Sequence, residues 1–137
     1  MRIAQVAPLH ESVPPLLYGG TERIVSYLTE ELVGQGHDVT LFASGDSITS
    51  ARLRPMCDRA LRLNCGALRD PLARHMLLLE RVMEEARDFD IVHFHLDYLP
   101  FSLIRRYQIP AVTTLHGRLD IPDLAPIFRV FEIVALH

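Results

Sequence analysis

Short apolar runs alternate with stretches of helical hydrophobic spacing along almost the whole of this chain, and few folds accept that pattern. Arg2 to Ala7, Val39 to Ala43, Ile91 to His95 and Ala111 to Leu115 are each short and apolar enough for buried strands. Between the first two, Ile24, Val25, Leu28 and Leu32 recur at helical spacing, which predicts a helix over 24–33. Gly34-Gln35-Gly36-His37 then supplies a stop with a glycine for the left-handed cap. Asp70-Pro71 pairs an N-cap with proline at the first helical position, opening a second helix to about Arg87. Its stripe is read as Leu72, Met76, Leu79 and Met83, with the methionines as core filling. Short helices are expected near 101–106 and within 121–128, and a last strand over 133–136. Residues 47–69 are the least readable, with a short strand expected near Leu53. Alternation of this kind specifies a parallel sheet covered on both faces and joined by right-handed crossovers: an α/β, doubly wound fold.

At 137 residues the chain fits one domain. A net charge of −3 gives no basic face for nucleic acid. All 14 cationic residues are arginine, which excludes a Schiff-base lysine and a Walker-type phosphate-binding lysine. Cys57 and Cys65 match neither a zinc spacing nor a redox pair and read as ordinary thiols. Met1-Arg2 leads straight into a strand, so no signal peptide is expected. No apolar run approaches a membrane span, and a cytoplasmic location is expected.

In open parallel sheets, ligands bind beyond the carboxyl ends of the strands, so polar residues there are candidates for chemistry. The first strand is followed by His10 and then by Gly19-Gly20 at the start of the first helix. Paired glycines bare the unpartnered N–H groups of a helix N-terminus, where the dipole favours an anion such as phosphate; the same pair also suits a simple flexible cap. The strand at 91–95 ends in His93, His95 and Asp97, and the strand at 111–115 ends in His116, Arg118 and Asp120. His93 and His95, two apart, share a sheet face, and His93 suits a hydrogen-bonded core position. Three imidazoles also raise a metal site from His93, His95 and His116, but no carboxylate or cysteine completes a recognised spacing and none is predicted. His116, beside Gly117, is the leading functional candidate. Asp97 and Asp120 suit helix caps as well as a site, Glu22 suits the helix dipole, and Tyr18 and Tyr98 suit either packing or a sugar contact.

Five segments carry a resemblance. They are Met1-Arg2-Ile3-Ala4-Gln5-Val6-Ala7-Pro8, Tyr18-Gly19-Gly20-Thr21-Glu22-Arg23, Gly36-His37-Asp38-Val39-Thr40-Leu41-Phe42-Ala43, Phe89-Asp90-Ile91-Val92-His93-Phe94-His95 and Thr113-Thr114-Leu115-His116-Gly117. In this order and spacing they resemble the N-terminal domain of glycosyltransferase family 4, up to about residue 129. The resemblance implies a Rossmann-like domain of the GT-B fold. It also implies retaining transfer of a sugar from a nucleotide-sugar co-substrate to an acceptor hydroxyl, with no bound metal or other cofactor. It puts Gly19 and Gly20 near the donor diphosphate and gives His116 the contact with the donor sugar, where it helps stabilise charge at the reacting centre. His10, Glu22, His95 and Asp97 would face the acceptor. The family's second domain, which holds most nucleotide-sugar contacts including a pair of glutamates, has no counterpart in these 137 residues. The tail from Val130 to His137 also lacks the serine-containing strand end of the family. The expectation is one domain over 1–137, incomplete at its C-terminus and inactive alone, with self-association through an unpaired sheet edge or a separate donor-binding chain as partner. Two other readings stand beside it. One is a non-enzymatic half-enzyme or interaction subunit. The other is a dinucleotide-binding oxidoreductase domain, for which Gly20 and Asp46 lie at a suitable distance, although the three-glycine pattern is absent.

Overall fold

The computed structural model describes residues 1–63 and 69–131. Among these residues five strands, β1 (Arg2–Val6), β2 (Asp38–Ala43), β3 (Arg52–Pro55), β4 (Ile91–Phe94) and β5 (Ala111–Thr113), form one sheet in the order β3-β2-β1-β4-β5. Every neighbouring pair is parallel. Among the described residues four α-helices accompany them: α1 (Gly20–Gly34), α2 (Pro71–Glu85), α3 (Phe101–Tyr107) and α4 (Ala125–Val130). The fold is α/β, doubly wound and Rossmann-like, as the alternation predicts. The expected strand at 133–136 lies outside the described residues.

β1 is central and buried from Ile3 to Val6, which requires apolar side chains pointing both ways. Ala4, Val6, Phe42, Val92 and Phe94 face Leu78, Leu79 and Val82 of α2 and Ile104 of α3. On the opposite face Ala7, Leu41 and Ala43 pack with Val13 and with Val25 of α1. Burying a side chain of this size contributes about 1.5–3 kcal/mol. β3 carries Arg52 and Arg54 on either side of Leu53 at the sheet margin, with Arg54 paired to Glu85 at 2.8 Å. Charged side chains suit an edge strand, where they oppose pairing with another chain.

Three details differ from expectation. First, α1 begins at Gly20, four residues early, with Gly19 as N-cap. Its C-terminus closes as foreseen: Gly36 sits at φ 90°, its N–H donates to Val33 O, and the His37 N–H donates to Leu32 O. Second, α2 presents His75, Leu78, Leu79 and Val82 to the core, whereas Leu72 and Met76 are each 55% exposed. Met76 is therefore no core filler, although Met83 does pack against the core. Third, β4 and β5 end at Phe94 and Thr113, so His95 and His116 lie past the strand ends. That places them in the crevice where the sheet order reverses, between β1 and β4, the usual ligand position in such sheets.

Candidate active site

β1 and β4 pair with Gln5 beside His93 and Val6 beside Phe94. Registered neighbours in a sheet point to the same face, so the side chains of Gln5 and His93 lie side by side. His95, two residues beyond His93, joins them, and the two imidazole centroids are 4.1 Å apart. Gln5 is fully buried. Its Oε1 lies 2.7 Å from His95 Nε2 and its Nε2 lies 3.3 Å from His93 Nδ1. His93 Nε2 lies 2.7 Å from Thr114 Oγ1, and His95 Nδ1 lies 2.9 Å from His116 Nε2. A continuous polar row thus runs Thr114, His93, Gln5, His95, His116. Burial favours the neutral imidazole, and neighbouring rings add to that. His95 is pushed down to about 2, first by burial and then by His93 and His116. His93 is pushed down to about 4 by burial and by His116. His116 is lowered by burial, partly offset by Asp97.

Asp97 holds the loop that carries His116. Its carboxylate Oδ1 accepts from the N–H groups of His116 at 2.9 Å and Gly117 at 3.3 Å. It does so from a left-handed backbone at φ 52°, a conformation that Asp and Asn tolerate better than most residues. Across the cleft, α2 supplies a group that sequence reasoning missed. His75 is buried, and its Nε2 accepts from the Leu9 N–H at 3.0 Å. Its other nitrogen therefore carries the proton and donates to Pro71 O at 2.7 Å. That fixes the loop after β1 and sets the ring of His10 at 4.8 Å from that of His75. The His10 pKa is lowered by burial, then by His75 and Arg62.

The N-terminus of α1 closes the third side. Gly19 is required there: a Cβ would sit 2.9 Å from both Glu22 Oε2 and the Pro15 side chain. Gly20 opens onto free space. Glu22 folds back over this turn, and burial raises its pKa against the opposing effect of its own backbone N–H. One lobe of the cleft, about 430 Å³, is lined by His10, Glu22, His75, His95, Asp97 and His116. A second, about 480 Å³, adds Gly19, Gly20 and Arg62 and shares His10, Thr21, Glu22 and His116. All seven residues singled out from the sequence, His10, Gly19, Gly20, Glu22, His95, Asp97 and His116, line these two adjoining lobes.

Other expectations fare differently. Asp97 caps no helix, since α3 begins after Pro100. Asp120 makes a two-pronged pair with Arg118 instead of a cap. Both nitrogens of His93 and of His95 already have protein partners, so these rings offer no lone pair to a metal. Asp46 accepts from Ser44 Oγ at 2.6 Å and from the Ala60 N–H at 3.0 Å, which ties it to its own loop. The carboxylate that a dinucleotide ribose would need is therefore engaged. Among the described residues, no helix is long and apolar enough to cross a membrane.

A model described as Glycosyltransferase Family 4 matches residues 18–133. The chain belongs to glycosyltransferase family 4. No curated protein matches its sequence. Among solved structures, it is similar to AviGT4, a glycosyltransferase involved in avilamycin A biosynthesis, at 22% identity and a TM-score of 0.48. That match covers 85% of this chain and 32% of AviGT4, so the chain spans about a third of that structure's length. It is also similar to the C-terminal domain of the coenzyme A biosynthesis bifunctional protein CoaBC, at 11% identity and a TM-score of 0.55. There the match covers 97% of this chain and 73% of the other, and it speaks for the shared fold alone.

Proposed function

We propose that this family 4 domain forms the N-terminal half of a glycosyltransferase. It moves a sugar from a nucleotide-sugar to an acceptor hydroxyl, with retention of configuration and without a metal. The observation that supports this reading is the convergence of the α1 N-terminus with His10, Glu22, His95 and His116 on one cleft at the sheet's switch point. The N–H groups of Gly20 and Thr21 at the start of the helix, with open space at Gly20, suit the donor diphosphate. They share its developing negative charge as the sugar departs. His116, neutral and held by Asp97 and His95, lies where the donor sugar would adjoin the acceptor. His10, Glu22, His95 and Asp97 line the acceptor side.

Nuclear magnetic resonance titration of the 137-residue chain with nucleoside diphosphate sugars tests this reading. Shift changes are expected at Gly20, Thr21 and His116 at millimolar concentrations, with no measurable transfer or hydrolysis by the chain alone. Changes confined to another face would overturn the site. Turnover by the purified chain would overturn its dependence on a separate donor-binding half.

A further inference from the structure

The row Thr114–His93–Gln5–His95–His116 can run in two directions, and the way the amide of Gln5 points distinguishes them. An imidazole with one proton must donate from one nitrogen and accept at the other, so each bond fixes the next. Gln5 Oε1 can only accept, so His95 Nε2 donates to it at 2.7 Å. His95 Nδ1 is then the acceptor, and His116 must donate from Nε2 across the 2.9 Å contact. On the other side, Gln5 Nε2 donates to His93 Nδ1, and His93 Nε2–H donates to the Thr114 hydroxyl. Turning the amide by half a revolution would reverse every bond in the row. Thr114 accepts either direction, since a hydroxyl both donates and accepts. Gln5 has no exposed surface, and nothing but the two histidines engages its amide among the described residues.

We propose that Gln5 is a positioning residue that fixes the tautomer of His116 through His95, so that His116 keeps its lone pair on Nδ1 for a ligand. With this direction the His116 ring offers the cleft an acceptor suited to a sugar hydroxyl; with the reverse direction it offers an N–H. What the ring recognises rests on the transferase reading, whereas the tautomer does not.

Long-range proton–nitrogen correlation spectra of the histidine side chains read the tautomers directly, at about pH 8 and without ligand. In the unmodified chain His95 and His116 are expected as Nε2–H forms and His93 as the Nε2–H form. Gln5→Leu removes the buried acceptor, so His95 turns to Nδ1–H and His116 follows to Nδ1–H. Gln5→Glu restores an acceptor to both rings. His95 and His116 then return to Nε2–H, while His93 alone switches to Nδ1–H, accepting from Thr114 at Nε2. A merely structural glutamine would give no such paired inversion and rescue. Finding His116 as Nδ1–H in the unmodified chain, or unchanged in a folded Gln5→Leu chain, overturns the proposal, and the first arm needs no variant to fold. Expected tautomers with no saccharide binding would sink the transferase reading alone.

Discussion

At Glu22 two demands meet. The third residue of α1 lies where the helix dipole favours a carboxylate, yet burial disfavours the charged form and raises its pKa. A donor diphosphate drawn to the same N–H groups would meet this carboxylate at close range. Glu22→Gln should therefore tighten nucleoside diphosphate binding at pH 8 by about 0.3–2 kcal/mol, the range of a charge effect at a helix end. Calorimetric titration checks this, and an unchanged affinity would remove the glycine turn as the anion site. Gly19, by contrast, was legible in the sequence only as a glycine of a turn. That it is needed to admit the Glu22 and Pro15 side chains depends on contacts that no spacing encodes. Gln5 was hidden for a related reason, being one polar residue in an apolar strand. The available signal was that a buried amide must find partners, and the next strand pair offers histidines.

Among the elements, the strand tips do the positioning, and Asp97 links two of them. It joins the segment after β4 to the segment after β5 through the N–H groups of His116 and Gly117. Asp97→Ala leaves both donors without that acceptor and places alanine at a left-handed position, so a loss of about 1–3 kcal/mol is expected. Asp97→Asn keeps an acceptor and tolerates the backbone, and should retain most of the stability. Urea unfolding of the two variants checks this; equal losses would mean the carboxylate charge, rather than the geometry, holds the loop. The helices show where periodicity misleads. For α2 the second half of the predicted stripe, Leu79 and Met83, does face the core, but the first half fails, because His75 takes a core position with both nitrogens satisfied while Leu72 borders the cleft. In α1, Glu22, Ser26 and Thr29 are buried and Ile24 is exposed. A hydrophobicity pattern cannot see buried polar positions: His75 finds its partner in the distant Leu9 N–H, and Thr29 Oγ1 is buried without one among the described residues.

Across the whole molecule, the parallel sheet with helices on both faces followed from alternation, and His95, Asp97 and His116 at its rim followed from the rule for ligand position at strand ends, whereas the strand order β3-β2-β1-β4-β5 did not. The charge state of the cleft did not either, because it depends on burial. Three of its groups, His10, His95 and His116, and His93 beneath them are all lowered, and burial is the first cause for each. In the unfolded chain these imidazoles return to the ordinary range near 6.5 and take up protons there, while the folded chain does not. The unfolded state then binds more protons, so stability falls as the pH drops. The window opens near pH 6.5 and extends down to about 4 for His93 and about 2 for His95. Glu22 acts in the opposite sense, since its raised pKa lets the folded chain bind a proton first. It is a single group against four, and it acts nearer the carboxylate range. His95 alone should remove about 2 kcal/mol between pH 6.5 and pH 5, a large part of the ordinary 5–15 kcal/mol of a domain. Urea midpoints at pH 8, 7, 6 and 5 should be level between the first two and then fall steeply. His95→Gln should flatten that fall, because glutamine keeps polar contacts without taking up a proton. A midpoint that stays level to pH 5 would mean the row of imidazoles is open to water and takes up protons in the fold as readily as in the unfolded chain. The direction assigned to it through Gln5 would then hold only above the ordinary imidazole range near 6.5.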